Sequence, residues 1–281
     1  MGAADDMSPV KSASRLDDNI DDVNGERARS PMSEETLDAL FHGKLRFLQS
    51  RSGYRLSLDA LLLAHFVSVQ PKETVVDLGT GNGVIPLILA SLHSQVSITG
   101  IEFQPAMAER AERNVKLNGL ERKVQIRRGD VRAIDTVAPP ESFDGVVCNP
   151  PFRKPSSGRI SPNDEKRVAR HEIQGDLGDF LAAATFLLRL KGRMALIYSA
   201  RRAVDLLSSM RLARVEPKRL RMVHSFADVD ASLVLVEGIK GGRSGIEVLP
   251  PLIIYRRDKG YSAEVAAQIA GERLISQCAS R

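Results

Sequence analysis

The sequence predicts an α/β fold, in which a doubly wound and mostly parallel sheet of seven strands ends in a C-terminal antiparallel hairpin. Two observations carry this prediction. From residue 36 onward, short apolar runs alternate with segments of helical periodicity, as expected for a parallel sheet flanked by helices. The chain has 281 residues, 43% of them hydrophobic, which is enough to bury the core of one large domain.

The predicted elements follow one another in the order that such a fold requires. Five apolar runs predict strands, and helical periodicity or helix punctuation predicts the segments between them. Two later apolar runs, 233–237 and one beyond the glycine-rich KGGRSG, predict the hairpin. The strands are predicted at 74–78, 96–101, 124–126, 143–148 and 194–198, and the helices at 84–92, 105–117 and 177–188, the last stopped by Gly192. This alternation is typical of a Rossmann-like sheet.

Residues 1–33 differ from the remainder of the chain. They contain little periodic hydrophobicity, so we expect a disordered acidic leader ahead of a single domain at 34–281. Residues 1–36 carry nine acids and four bases, which leaves 36 bases against 26 acids in the body. A basic body suits a polyanionic partner such as nucleic acid, although an excess of charge can also serve solubility alone.

Composition argues against several other classes of protein. No apolar run approaches the roughly 18 residues of a membrane-spanning helix. The two cysteines, Cys148 and Cys278, are too few for a disulfide framework or a metal cluster. We therefore expect a cytoplasmic protein with no membrane partner and no metal, and we expect it to be a monomer or a weak dimer.

The glycine-rich turn after the first predicted strand, DLGTGNG at residues 77–83, is the strongest motif in the chain. Glycines there allow positive φ and a close approach of the backbone to a ligand. A dinucleotide site would require G-x-G-x-x-G, but Val84 or Pro86 occupies the third glycine position. The turn therefore favours a ligand with a carboxylate and an ammonium group and no pyrophosphate, with Asp77 facing the ammonium.

Two further acids follow the next two predicted strands. Glu102 lies 19 residues after Gly83, at a strand end where a carboxylate can accept both hydroxyls of a ribose. Asp130, followed by Val131, ends the third strand and could accept from an adenine amino group. A single loop acid is usually just solvated, but chance rarely places three acids after three successive strands.

Together, VVDLGTGNG, GIE and GD resemble the class I S-adenosylmethionine-dependent methyltransferases over about residues 74–200. The resemblance implies a Rossmann-like fold and S-adenosyl-L-methionine as the cofactor. It also implies a set of cofactor-binding residues along the carboxyl ends of the strands. These are Asp77, Gly79, Gly81, Gly83, Glu102, Asp130, Val131 and Asn149.

The motif Asn149-Pro150-Pro151-Phe152 follows the fourth predicted strand and supplies the candidate catalytic residues. Each proline fixes its own φ, and Pro150 restricts Asn149 to extended conformations. The result is a stiff loop that presents two acceptors, the Asn149 side-chain oxygen and the Pro150 carbonyl, beside an aromatic ring. In a doubly wound sheet the first and fourth strands are neighbours, so this loop should face the glycine-rich turn across one crevice.

Such a loop suits a planar amine. The N6 lone pair of adenine is delocalised into the ring, so accepting both N–H bonds steers the nitrogen toward tetrahedral geometry and stabilises its developing positive charge. No general base is needed, and Phe152 can stack on the base. The motif resembles those of methyltransferases that act on adenine in DNA, on adenine or guanine in RNA, and on release-factor glutamine, so it leaves the substrate open.

Basic residues beside the motif favour RNA. A Pro/Ser/Gly-rich stretch follows it, and we expect its bases to contact phosphates, although such clusters are often merely solvated. They are Arg153, Lys154, Arg159, Lys166, Arg167 and Arg170, with His171 at the end. A second basic run, with a weaker case for phosphate contact, comprises Arg211, Arg214, Lys218, Arg219 and Arg221.

Four segments resemble one family, the bacterial tRNA(Val) adenine-N6 methyltransferases. They are GYRLSLDALLLAHF, NPPFRKPSSGR with VARHE, KRLRMVHS, and LVLVEGIKGGRSGIEVLPPLIIY. The resemblance covers most of residues 37–256 and implies methylation of the adenine next to the anticodon. It places the first segment over the cofactor, with Arg55 and Asp59 as its polar members. Phe152 stands where the family usually has Tyr, which preserves stacking but loses a hydroxyl.

Three alternatives remain at this point. The substrate could be a base amine of ribosomal RNA. It could be a release-factor glutamine, although enzymes of that type usually carry a helical domain before the core. The chain could instead be a catalytically silent RNA-binding protein of methyltransferase type, against which the intact Asp77, Glu102, Asn149 and Pro150 argue.

Overall fold

A computed structural model of the chain describes residues 34–51, 56–151 and 175–272. The predicted leader at 1–33 lies outside these residues. The strands are β1 (Glu35–Leu40), β2 (Leu45–Ser50), β3 (Thr74–Leu78), β4 (Ser97–Glu102), β5 (Val124–Arg128), β6 (Phe143–Cys148), β7 (Leu188–Ser199), β8 (Val215–His224), β9 (Ala231–Lys240), β10 (Glu247–Val248) and β11 (Leu252–Ile253). The helices are α1 (Leu58–Phe66), α2 (Val84–Leu92), α3 (Pro105–Leu117), α4 (Leu177–Leu187), α5 (Ala203–Leu212) and α6 (Ala263–Ala270), with short 3₁₀ turns at Val131–Thr136 and Ala200–Arg202.

The central sheet confirms the predicted fold class. Its strand order is β10-β8-β9-β7-β6-β3-β4-β5, with β11 also paired to β8. Seven of these strands are long, and β10 and β11 add two residues each at one edge. Among the described strands of this sheet, β9 runs antiparallel to both of its neighbours and every other pairing is parallel.

Helices cover both faces of the sheet. One face packs against α1, α2 and α6 through residues such as Leu62, Ile88 and Val265. The other face packs against α4 and α5 through Phe180 and Met210. A separate antiparallel pair, β1 and β2, lies outside the sheet and packs against α2 and α3. None of the helices in the described ranges is long and apolar enough to cross a membrane.

Most predicted bounds are confirmed. Strands β3 and β6 and helix α2 begin and end where the sequence placed them, and α3 stops just before Asn118-Gly119. The helix predicted to stop at Gly192 is an exception, because α4 ends at Leu187 and the chain passes directly into β7. Gly192 lies inside that strand, where a Cβ would come within 2.9 Å of the Arg189 carbonyl oxygen.

An antiparallel hairpin is present in this part of the sheet, but the predicted pairing of 233–237 with the run after KGGRSG is wrong. Strand β9 pairs with β8, which precedes it, and the runs after KGGRSG form β10 and β11 on the far side of β8, parallel to it. In β8, basic residues interrupt the buried apolar positions Val215, Leu220 and Val223. The sequence analysis therefore identified a basic run in this region and did not predict the strand.

Candidate active site

The pairing of β3 with β6 sets the position of the site. Asp77 pairs with Val147 and Leu78 with Cys148, so the glycine-rich turn and the Asn149 loop leave the sheet side by side. Strand β4 lies on the other side of β3, so the strand order reverses here. This is the switch point at which open α/β sheets bind ligands, and the predicted juxtaposition of the two loops is confirmed.

The three glycines of the turn serve two purposes. All have positive φ, at 71° for Gly79, 57° for Gly81 and 80° for Gly83. A Cβ on Gly79 would lie 3.2 Å from the Phe180 ring, and one on Gly83 would lie 3.2 Å from the Ala111 Cβ, so these two glycines also allow close packing. A Cβ on Gly81 would meet nothing within 4 Å. The open side of the turn, where a ligand can approach the backbone, is therefore at Gly81.

Asp77 is a buried carboxyl group with unfilled hydrogen-bonding capacity. The residue is 1% exposed, and neither carboxylate oxygen has a hydrogen-bond partner among the described residues. Burial raises the pKa of Asp77 to about 7, which the nearby Thr80 hydroxyl opposes and the charge of Glu102 reinforces. An unpartnered buried acid is costly to a protein unless a ligand satisfies it. An ammonium group beside the glycine-rich turn would do so.

Glu102 connects the end of β4 to the glycine-rich turn. Its Oε2 accepts the Gly81 N–H at 2.8 Å, and its Oε1 accepts the Gln104 N–H at 2.9 Å. Burial raises the pKa of Glu102, and these backbone donors oppose the shift. Each carboxylate oxygen has a second lone pair, so the fixed carboxylate can still accept two hydroxyl groups.

Asp130 lies at the third strand end, as predicted, but its carboxylate is already engaged. It accepts the backbone N–H of Arg132 at 2.9 Å and forms an ion pair with the Arg132 side chain at 2.6 Å. These contacts with Arg132 hold the pKa of Asp130 below its ordinary value. The Arg132 guanidinium also lies 5.9 Å from the centre of the Phe103 ring, which is 37% exposed. Val131, the next residue, is buried.

The acceptor loop is described as far as Pro151. Pro150 is buried, whereas Asn149 and Pro151 are partly exposed, and the Asn149 side chain makes no hydrogen bond with any described residue. The remaining predicted residues of this side of the site lie outside the described ranges. They are Phe152, Arg153, Lys154, Arg159, Lys166, Arg167, Arg170 and His171.

A polar cavity of about 370 Å³ lies beside Pro151. Its wall includes Tyr198 and Arg202, which the sequence analysis did not single out. The Arg202 Nη1 donates to the Tyr198 hydroxyl at 2.6 Å, and the guanidinium lies 5.2 Å from the ring centre. No sequence motif marked these two residues, because strand topology alone brings the end of β7 next to the end of β6.

The segment predicted to lie over the cofactor is described from Leu56 onward, so Arg55 falls outside it. Asp59 lies in the first turn of α1, which Ser57 caps by accepting the Ala60 N–H. Burial raises the pKa of Asp59 to about 6. Its proximity to the cofactor stays a prediction.

Two members of the second basic run, Arg219 and Arg221, have structural roles, whereas phosphate contact by Arg211, Arg214 and Lys218 stays a prediction. Arg219 pairs with Glu237 at 3.2 Å and lies 4.9 Å from the centre of the Phe66 ring. Arg221 is 8% exposed and forms two hydrogen bonds with the Glu264 carboxylate, at 2.5 and 2.7 Å. Both guanidinium groups are therefore used inside the protein, where they join β8 to its neighbours.

Comparison with known proteins identifies the class. The methyltransferase small domain family matches residues 55–204. A Porphyromonas gingivalis (strain ATCC 33277) protein named tRNA1(Val) (adenine(37)-N6)-methyltransferase is 30% identical over 195 residues, which cover 67% of this chain and 76% of the relative. A Tolumonas auensis protein of the same name is 27% identical over 180 residues, which cover 61% and 73%.

A solved structure supports the fold. It is that of a predicted O-methyltransferase, protein Atu636 from Agrobacterium tumefaciens, with a TM-score of 0.63 and 22% identity, covering 76% of this chain and 96% of the other. Fold, glycine-rich turn and sequence relatives together define a class I methyltransferase that uses S-adenosylmethionine. Within that class, the chain belongs to the methyltransferase small domain family.

The residues present fit this cofactor. The unpartnered Asp77 carboxylate suits the ammonium group, the open side of Gly81 leaves room for a ligand along the backbone, and Glu102 suits the ribose. No group of three or more His, Cys, Asp or Glu side chains arranged to hold a metal ion occurs within 34–51, 56–151 and 175–272.

Proposed function

We propose that this enzyme methylates N6 of the adenine at position 37, next to the anticodon, in a tRNA of the tRNA1(Val) type. The shared name of the relatives carries the proposal, because one of them is 30% identical and matches over 76% of its length. The position of Asn149-Pro150-Pro151 beside the glycine-rich turn supports it, since these residues offer the acceptors that a planar amine requires. We further propose that the enzyme acts in the cytoplasm, as a monomer or weak dimer.

Residues on one side of the crevice would bind the methyl donor, and residues on the other side would bind the adenine amine. Asp77 and Glu102, at the ends of β3 and β4, would hold the donor. When bound, S-adenosylmethionine supplies an electrophilic methyl group. On the acceptor side, the Asn149 side-chain oxygen and the Pro150 carbonyl accept the two N–H bonds of the adenine amine and orient its lone pair toward the donor.

The acceptor loop contributes most in the transition state. Positive charge would develop on the nitrogen as its bond to the methyl carbon forms and the bond from that carbon to the donor sulfur breaks, which leaves S-adenosylhomocysteine. Two fixed oxygen acceptors would stabilise that charge more strongly than they bind the neutral amine. Each such contact is worth about 3–4 kcal/mol of barrier. The nitrogen then loses its extra proton without a general base, because an ammonium-like nitrogen on the purine ring is strongly acidic.

The decisive experiment uses purified protein and two tRNA transcripts. The enzyme should transfer methyl groups to tRNA1(Val) and not to the same transcript with guanine at position 37. Nucleoside mass spectrometry of the digested product should show N6-methyladenosine. Methylation of both transcripts, or of neither while ribosomal RNA or a release factor is methylated, would refute the proposed substrate.

A further inference from the structure

We propose that Asn114 is a positioning residue, which couples the N-terminal β1–β2 hairpin to the glycine-rich turn and makes the hairpin part of the cofactor site. The inference rests on the methyltransferase assignment and not on the RNA substrate. It concerns a chain of buried polar contacts that runs from β1 and β2 through α3 to Asn82, the residue between Gly81 and Gly83.

Asn114 lies on α3 and is 0% exposed. Its Oδ1 accepts the Leu48 N–H of β2 at 2.7 Å, and its Nδ2 donates to the Leu48 carbonyl at 3.1 Å. The same Nδ2 donates to the Asn82 carbonyl at 3.0 Å. One amide group therefore binds the backbone of the hairpin on one side and the backbone of the glycine-rich turn on the other.

A second connection runs through charged residues. Glu35 of β1 is 3% exposed and accepts from Arg110 Nε and Arg113 Nη2, each at 2.9 Å. Arg110 Nη1 also donates to the Asn82 side-chain oxygen at 3.1 Å. Both the side chain and the carbonyl of Asn82 are thus held from α3, and the hairpin fixes the α3 groups that hold them.

The turn needs such support because three of its residues are glycines at positive φ, which the free backbone does not hold in one conformation. Contacts that fix the turn in advance reduce the entropy lost when a ligand binds. Removing the Asn114 amide should therefore weaken cofactor binding, while leaving the rate at saturating cofactor nearly unchanged.

Asn118, the residue that directly follows α3, provides a matched control. Its Oδ1 accepts the Arg46 N–H at 2.9 Å and its Nδ2 donates to the Arg46 carbonyl at 2.7 Å, so it holds β2 as Asn114 does. Its remaining side-chain hydrogen bond among the described residues goes to the Asn114 carbonyl and not to the glycine-rich turn. Arg113 is a second control, because it binds Glu35 as Arg110 does, whereas only Arg110 also has a hydrogen bond to Asn82.

The test compares Asn114→Ala with Asn118→Ala in the full chain. We expect Asn114→Ala to raise two constants by about 5- to 10-fold, the effect of losing the one hydrogen bond to the glycine-rich turn. They are the Kd for S-adenosylhomocysteine, measured by calorimetry, and the KM for S-adenosylmethionine. The kcat at saturating cofactor should change less than about twofold. Asn118→Ala should lower the melting temperature similarly and leave both cofactor constants within about twofold.

Equal cofactor effects in the two variants, or an unchanged Kd in Asn114→Ala, would overturn the proposal. If Asn114→Ala does not fold, Arg110→Gln and Arg113→Gln replace the pair, and only Arg110→Gln should raise the Kd. Because the calorimetric measurement uses no RNA, it tests this inference even if tRNA is the wrong substrate. If the wild-type protein binds S-adenosylhomocysteine but transfers no methyl group to tRNA, the proposed substrate is wrong, and the Kd values of the two variants still test this inference.

Discussion

The two sides of the crevice are built differently. On the donor side, Asp77 and Glu102 are both less than 5% exposed, and backbone N–H groups of the turn and of the following loop fix the Glu102 carboxylate. On the proposed acceptor side, the Asn149 side chain has no hydrogen bond among the described residues, and Asn149 directly follows the last residue of β6. The carboxylates proposed to bind the donor are thus fixed by the fold itself, whereas the Asn149 side chain proposed to bind the acceptor is left available to a substrate.

This difference indicates that the acceptor side determines which substrate the enzyme methylates. A donor that is common to a whole class of enzymes can be bound by strand ends and one glycine-rich turn. An acceptor that distinguishes one enzyme from another requires loops that vary without disturbing the sheet. Mutations on the two sides should therefore separate cleanly into effects on cofactor affinity and effects on transfer.

The largest effect is expected on the acceptor side. Asn149→Ala removes one of the two acceptors for the amine, and kcat should fall by about 10²- to 10³-fold. Cofactor affinity measured by calorimetry should stay within about twofold, because Asn149 acts on the amine. A variant that keeps more than a tenth of the wild-type kcat would contradict this role of Asn149, and a large change in cofactor affinity would show that the two sides are not separate.

The basic stretch beyond the acceptor loop should affect RNA binding alone. Replacing Arg153, Lys154, Arg167 and Arg170 with Gln should flatten the dependence of log K on log salt by about 0.7–0.9 for each lost phosphate contact. Between 50 and 200 mM salt, the wild type should then lose roughly 50- to 150-fold more affinity for tRNA than the variant.

Filter binding over that salt range measures this effect. A matched control replaces four bases that are exposed elsewhere on the molecule, and it should leave the salt dependence unchanged. They are Lys44, Lys72, Lys116 and Arg122. If the salt dependence of the first variant is unaltered, an acceptor other than RNA is favoured. If the salt dependence falls equally in the variant and in the control, the attraction comes from overall charge.

The sequence was sufficient for the elements around the proposed donor site because each of their signals is local. The strand ending at Asp77, the glycine-rich turn and helix α2 are contiguous, and periodicity and glycine spacing mark their bounds. Acids at the next strand ends, such as Glu102, could then be assigned by counting. The observed β3–β6 pairing needed only the general topology of doubly wound sheets.

What the sequence did not predict depends on contacts between distant segments. The support of Asn82 by Asn114 spans 32 residues, and the ion pair of Glu35 with Arg110 spans 75. No motif distinguishes those side chains from ordinary surface residues. Strand β8 was missed for a related reason, because Arg219 and Arg221 read as a charged surface until their partners on β9 and α6 are known.

On the donor side, Glu102→Gln should weaken cofactor binding. The variant keeps the size of the side chain but loses charge-assisted hydrogen bonds, so the Kd for S-adenosylhomocysteine should rise by about 10-fold. The kcat at saturating cofactor should hardly change. Asp144→Asn is the control, because its carboxylate also accepts a backbone N–H, from Thr74, at the opposite end of the sheet. A comparable loss of affinity in both variants would indicate a general effect on the fold.

The smallest effect is a pH dependence that belongs to Asp77. Because the pKa of Asp77 is about 7, the free protein holds this carboxyl largely protonated below neutrality. If the carboxylate pairs with the ammonium group of the cofactor, binding requires ionisation, and affinity should fall by up to about tenfold per pH unit as the pH drops below 7. Asp77→Asn should bind more weakly than wild type at pH 8, with a Kd that is nearly constant between pH 6 and 8.

The same pKa implies that the free protein becomes less stable as the pH rises, whereas its affinity for the cofactor increases. Unfolded Asp77 ionises near 3.8 and native Asp77 near 7, so between these values the native state holds more protons and the free energy of unfolding falls as pH rises. Asp77→Asn removes this penalty, so denaturant unfolding without cofactor should find the variant increasingly more stable than wild type from pH 4 to pH 7. A constant difference in the free energy of unfolding across that range would mean that Asp77 is already ionised in the free protein. Cofactor binding would then not require its ionisation.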